Sequence, residues 1–147
     1  MEMSNVHNVF KGLWPAIFTP VNENGKVNLT ELEKLVELLV AQKVDGLYVL
    51  GSTGQGFLFT EQERMEIAEA TISMAKKRLP VMVQVGALNT EESVRLAMHA
   101  EQKGADGVSS VGPIYYAASA WRCRMEKDLN ELAQSLKTFT QDMVDNP

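Results

Sequence analysis

Gly51-Ser52-Thr53-Gly54-Gln55-Gly56 gathers glycines and hydroxyls into one short uncharged loop. Glycines let a backbone approach a ligand closely, and successive backbone N–H groups form a concavity that accepts an anion. The chemistry such a loop suits is capture of a carboxylate or phosphate. A tight strand-to-helix turn, with small residues chosen for packing, explains the same composition, and both readings stand at this level. Elsewhere the reactive side chains are scattered. His7 and His99 are the only histidines and lack metal-ligand spacing. Cys123 is the single cysteine, so no internal disulfide is expected, and it reads as an incidental thiol. Neither a Gly-x-Gly-x-x-Gly run nor a Walker motif is present, because no Lys-Ser/Thr follows Gly56. No cofactor or metal is therefore expected. The acidic residues fall mostly on helix surfaces and caps, against a carboxylate-pair hydrolase.

The loop needs elements to hold it. Leu47-Tyr48-Val49-Leu50, between Asp45-Gly46 and Gly51, reads as a buried parallel strand. Thr60 and Glu63 form a T-x-x-E capping box that opens a helix over Glu61 to Lys77, with Met65, Ala68, Ile72 and Ala75 inward. In α/β folds, ligands sit at the carboxyl ends of strands, where this loop lies. Upstream, Pro15 and Pro20 limit a first strand to about Ala16–Thr19. Asn24-Gly25 makes a turn. Asn28, with Glu31 three residues on, caps a helix that carries Leu29, Leu32, Leu35, Val36 and Leu39 at helical spacing. Downstream, Val81–Gly86 reads as a strand, Glu91–Lys103 as a helix stopped by Gly104, and Val108–Val111 as a fourth strand.

An internal repeat supports this parsing. Gln42-Lys43-Val44-Asp45-Gly46, four residues and Gly51 resemble Gln102-Lys103-Gly104-Ala105-Asp106-Gly107, four residues and Gly112. A helix end, Asp-Gly, a short strand and glycine recur as one unit, which points to a parallel sheet with right-handed crossovers. From Trp121 the pattern changes. Met125, Leu129, Leu132, Leu136, Phe139 and Met143 alternate four- and three-residue steps, the spacing of one amphipathic helical stripe.

Composition narrows the partners. The net charge of −5 and the lack of a basic, aromatic-interleaved cluster argue against nucleic acid. No apolar run is long enough for a membrane helix, and Met1–Val9 reads as a polar, frayed start without signal-peptide character. A cytoplasmic location is expected.

With these elements in place, Phe10 to about Ala117 resembles the N-terminal half of the dihydrodipicolinate synthase/N-acetylneuraminate lyase family. The residues that carry the resemblance are Gly12–Pro20 (GLWPAIFTP), Gly51–Gly56, Val85-Gly86-Ala87, Gly104-Ala105-Asp106-Gly107 and Pro113-Ile114-Tyr115-Tyr116. The family comprises pyruvate-dependent class I aldolases on a (β/α)8 barrel. Residues 10–117 then correspond to about half a barrel with four parallel strands, and residues 118–147 to an added C-terminal helix. The resemblance implies that backbone N–H groups at Ser52 and Thr53 hold the carboxylate of pyruvate or another small 2-oxo acid. It implies that the Ser52 hydroxyl stands midway in a proton relay, and that Tyr115 is a relay tyrosine reaching a neighbouring subunit of a homo-oligomer. Taken alone, Tyr115 and Tyr116 read as aromatic packing. Gln55 departs from the family's usual glutamate. Ser52 and the tract VSSVGPIYY resemble the neuraminate lyase side, with dihydrodipicolinate synthase as the alternative.

The family's chemistry also needs a Schiff-base lysine on a later strand and a tyrosine on the strand before it. Neither later strand has a counterpart here. Lys43, Lys76, Lys77 and Lys103 fall at helix ends, Lys11 and Lys26 flank the first strand and turn, and Lys127 and Lys137 belong to the terminal stripe. The expectation for this sequence alone is an inactive half-barrel, with a non-catalytic interaction protein as the third reading.

Overall fold

The computed structural model describes residues 10–112. Three helices, α1 (Leu29–Ala41), α2 (Glu61–Ala75) and α3 (Thr90–Gln102), alternate with three strands, β1 (Leu47–Val49), β2 (Val81–Gln84) and β3 (Gly107–Ser109). The sheet is parallel throughout, in the order β1-β2-β3. Register places Tyr48, Met82 and Gly107 in one row and Val49, Val83 and Val108 in the next. The valine row and Leu47 and Val81 pack with Leu32, Val36, Ile67, Ala68, Leu96 and Ala100 as one core. The opposite face carries Tyr48, Met82, Gln84 and Ser109, and a Tyr48 hydroxyl–Ser109 Oγ hydrogen bond of 2.8 Å ties β1 to β3 along it.

Four parallel strands were expected, and the described residues hold three. The first survives as a single parallel bridge between Ala16 and Tyr48. Ile17 N–H donates to Tyr48 O at 3.0 Å, and Tyr48 N–H to Pro15 O at 3.1 Å. Pro15 and Pro20 on either side have no N–H to extend the ladder. β1 also stops a residue short of expectation, because Leu50 turns to φ +62°. β2 ends at Gln84 rather than Gly86, and β3 is shifted to Gly107–Ser109 from Val108–Val111.

The helix starts agree with their caps. Asn28, Thr60 and Asn89 side chains each accept from the backbone N–H three residues on, and Thr60–Glu63 is a reciprocal capping box. The ends differ by one or two residues. α2 stops at Ala75, because Lys76 and Lys77 adopt φ of +50° and +56°. Arg78 binds the freed carbonyls of Met74 and Ala75 and grips Glu37 with both ends of its fork, at 2.9 and 2.6 Å. The buried stripe of α2 is Arg64, Ile67, Ala68, Thr71 and Ala75, so Met65 and Ile72 lie at its margin, only partly buried.

The Asp-Gly repeat has a structural cause. Asp45 accepts from Leu13 N–H at 2.6 Å, and its own N–H donates to Leu13 O at 2.9 Å. Asp106 repeats the exchange with Val81 at 2.8 and 2.9 Å. Each aspartate thus ties the chain entering its strand to the start of the preceding one. A Cβ on Gly46 would meet the Trp14 ring, and one on Gly107 the Phe10 ring. The two rings touch each other with centroids 5.4 Å apart, so residues 10–14 form an aromatic floor beneath the amino ends of the strands.

Candidate carboxylate-binding site

The glycine loop leaves the carboxyl end of β1 through Leu50. Its residues close one helical turn. Gln55 N–H donates to Ser52 O at 3.1 Å and Gly56 N–H to Gly51 O at 3.3 Å, with Gln55 left-handed at φ +53°. This is a Schellman closure, which satisfies the turn's carbonyls. Its other end is open: the backbone N–H groups of Ser52, Thr53 and Gly54 have no hydrogen-bond partner among the described residues. Ser52 and Thr53 are exposed, whereas Gly51, Gly54 and Gly56 are buried. Consecutive unpaired donors at the start of a helical turn carry partial positive charge outward, which is the electrostatic requirement for a carboxylate.

Four contacts fix this turn. A Cβ on Gly56 would lie 2.0 Å from Leu50 O, and one on Gly54 would lie 2.9 Å from Ile17 O. Both glycines are therefore required by close backbone approach rather than by conformation. Thr19 Oγ1 donates to Gly54 O at 2.9 Å, pinning the loop to the end of the first strand. The Tyr48 ring lies beneath Gly51, where a Cβ would reach it at 2.5 Å.

Arg64 is the residue that sequence reasoning missed. It is 2% exposed, among the largest buried side chains. Its Nη2 donates to Gln84 O at 3.0 Å, to Gln84 Oε1 at 2.9 Å and to Gly86 O at 3.0 Å. Its Nη1 is 3.7 Å from Glu92 Oε1, and its guanidinium carbon stands 5.6 Å from the Phe57 ring centroid. Burial lowers its pKa from the ordinary arginine value, opposed by the Glu92 and Glu61 carboxylates, and an arginine stays cationic through such a shift. The available signal was its place in the buried stripe of α2, one turn after the cap.

Ser52 and Thr53 thus stand side by side at a strand end, as expected. Tyr115, Tyr116, Cys123, His7, the Met1–Val9 start and the stripe from Met125 to Met143 lie outside the described residues. Every lysine among the described residues is exposed: Lys34 lies in α1, Lys43, Lys76, Lys77 and Lys103 at helix ends, and Lys11 and Lys26 in the irregular segments before the first strand and after the Asn24-Gly25 turn. A Schiff-base lysine needs burial, and none of these is buried. His99 reaches Glu69 at 3.7 Å on the outer helix surface, away from the loop. No group of ligand residues fit to hold a metal occurs among the described residues, and no described helix is long and apolar enough to cross a membrane.

Comparison with known proteins identifies this arrangement. Residues 9–124 match the dihydrodipicolinate synthetase family. An N-acetylneuraminate lyase from Citrobacter koseri is 40% identical over 109 residues, covering 74% of this chain and 37% of the relative. A 4-hydroxy-tetrahydrodipicolinate synthase from Acidiphilium cryptum is 37% identical over 107 residues, covering 73% and 37%. Among solved structures, a prophage protein of the dihydrodipicolinic acid synthase family from E. coli K12, determined in complex with pyruvate, superposes with a TM-score of 0.80 at 30% identity. That match covers 87% of this chain and 42% of the prophage protein. The chain spans about 37% of the length of the curated relatives it matches. Its parallel strands and crossover helices are part of their (β/α)8 barrel. On the residues matched and the fold shared, the chain belongs to the dihydrodipicolinate synthetase family.

Proposed function

We propose that the Gly51–Gly56 turn is the carboxylate-binding element of a pyruvate-dependent aldolase site of the N-acetylneuraminate lyase type. The observation that carries this reading is the set of unpaired N–H groups at Ser52, Thr53 and Gly54 at a strand end, on a turn whose Ser52 and Thr53 are exposed. In this reading the Ser52 and Thr53 amides hold the carboxylate of pyruvate or another small 2-oxo acid. They orient its ketone toward the imine-forming lysine of the complete site. The Ser52 hydroxyl, backed by the Tyr115 phenol, passes the proton that moves as the carbon–carbon bond breaks or forms. Condensation of pyruvate with aspartate semialdehyde, the dihydrodipicolinate synthase reaction, is the alternative, since relatives of both names match at similar identity.

A second reading rests on the lysines. In this reading the described residues, none of whose lysines is buried, form a carboxylate-binding half-barrel that serves as an interaction protein. The terminal segment 118–147 would then serve as a covering helix, and β3, which pairs only with β2 among the described residues, as an edge for a second copy. One experiment separates the readings. Titrating the labelled protein with pyruvate should move the Ser52, Thr53 and Gly54 amides first, with an affinity on the order of 1 mM for a few backbone hydrogen bonds. Borohydride added to the pyruvate complex should leave the intact mass unchanged. Shifts confined to other residues would remove the carboxylate site, and a stoichiometric adduct would remove the second reading.

A further inference from the structure

We propose that Arg64 is a positioning residue for the carboxylate loop, acting through the Phe57 ring. The inference rests on the carboxylate reading for its functional meaning, but its geometry stands independently. Phe57 belongs to the short 3-10 turn Gly56–Leu58, which follows the glycine loop directly. The turn is closed only by Leu58 N–H to Gln55 O at 2.9 Å and Phe59 N–H to Gly56 O at 3.4 Å. Short 3-10 pieces are weak on their own, so a side-chain anchor adds to the backbone contacts that hold this one at Gly54 and Gly56. Phe57 is 38% exposed, so core burial does not supply that anchor. The Arg64 guanidinium does, at 5.6 Å from the ring centroid.

Arg64 itself is buried and held from several sides. Its Nη2 serves the Gln84 and Gly86 carbonyls and Gln84 Oε1, and its Nη1 faces Glu92 at the first turn of α3. Its Nε is buried with no hydrogen-bond partner among the described residues, as is Gln84 Nε2. Leaving such donors unpaired is unfavourable, so stability alone does not account for a buried arginine here. What the arginine adds is position. One planar group fixes the end of β2, the start of α3 and the turn behind the anion loop relative to one another.

The test uses the full chain and two readouts. Phe57→Leu removes the ring but leaves Arg64 and its buried bonds in place. Phe57→Trp restores a face for the cation. A cation–π contact at a partly exposed site corresponds to about a two- to fivefold change in a local equilibrium. Phe57→Leu should therefore raise hydrogen exchange at the Gln55 and Gly56 amides two- to fivefold. Exchange at Val83 in the core should not change, and Phe57→Trp should return the loop amides to the parent rate. Pyruvate affinity should fall by the same factor in Phe57→Leu and recover in Phe57→Trp. Unchanged loop exchange in Phe57→Leu, or loss without recovery in Phe57→Trp, overturns the proposal. If the exchange pattern is as expected but no variant, nor the parent, binds pyruvate, the positioning role holds and the carboxylate reading fails.

Discussion

Gly56→Ala isolates the steric requirement of the loop. Gly56 does not have positive φ, so alanine meets no conformational penalty there. The added Cβ would stand 2.0 Å from Leu50 O and 2.9 Å from Leu50 C. The obstacle is backbone, and it belongs to a residue already at φ +62° whose side chain is 1% exposed in the core. No rotamer change relieves the overlap; either the loop lifts or Leu50 shifts with its neighbours. Overpacking of this kind costs about 3 kcal/mol, the upper end of the usual range. Gly104→Ala is the matched control. There φ is +86° but nothing lies within 4 Å of the added Cβ, so only backbone strain of about 1 kcal/mol applies. In urea, with a slope of about 1.5 kcal/mol per M, the midpoints should fall by about 2 M for Gly56→Ala and about 0.7 M for Gly104→Ala. The Ser52 and Thr53 amides should move only in the first. Equal midpoints for the two variants, or unmoved loop amides in Gly56→Ala, would refute the claim that Leu50 O sets the loop's shape.

Burial raises the Asp106 pKa above its ordinary 3.8, against the hydrogen bond from Val81 N–H and the charge of Lys77. The carboxylate form is thus disfavoured on folding, and its penalty is full above the raised value and fades as pH falls through it. Asp106→Asn keeps an acceptor for Val81, so it should match or exceed the parent in thermal midpoint at pH 7, with the gap closing toward pH 4; a clear loss at pH 7 would contradict this. Glu37, Glu61, Glu63 and Glu69 behave oppositely. Hydrogen bonds from Arg78, Arg95, Thr60 and Lys103, in that order, hold them below 4.5, so their stabilisation is present above that value and is lost as pH falls through the lowered ones. Acid titration of the urea midpoint should show stability declining in that window. Thr60→Ala removes the hydroxyl that accepts from Glu63 N–H and donates to Glu63 Oε2, leaving only the backbone half of the capping box, and should lower stability by about 1 kcal/mol, measured by urea unfolding.

The sequence made the helix starts legible because caps are local: Asn28, Thr60 and Asn89 act on N–H groups three residues away. Helix ends were less legible. Lys76 and Lys77 in left-handed conformation have no signature of the kind Gly104 provides. The strands came out shorter than their apolar runs, since apolar character reports burial and not ladder hydrogen bonds. Leu50 is the clearest case, being buried like a strand residue and turned like a loop residue. The glycine-rich run was readable as a turn at a strand end, whereas the choice of Ser52 and Thr53 within it came from the family resemblance. Arg64 was not, because its partners are carbonyls of Gln84 and Gly86, and a charged residue in a helix defaults to the surface in any periodicity count.

The repeated Asp-Gly pair divides the labour between the two ends of the sheet. At the amino ends, Asp45 and Asp106 spend both their N–H and their carboxylate on the preceding strand, and the glycines beside them admit the Trp14 and Phe10 rings. Both aspartates there are engaged by the preceding strand, and the Trp14 and Phe10 rings fill the space beside Gly46 and Gly107. At the carboxyl end of β1 the arrangement is reversed. Glycines again permit close approach, but now of backbone to backbone, at Leu50 and Ile17. The result is a turn whose Gly51, Ser52 and Gly54 carbonyls are satisfied and whose Ser52, Thr53 and Gly54 N–H groups are not. In barrels of this kind the amino face serves stability and the carboxyl face chemistry. The same residue type at Gly46 and Gly56 therefore performs opposite tasks. Filling Gly46 would strike a ring that can tilt, whereas filling Gly56 would strike a carbonyl that cannot yield without moving the loop.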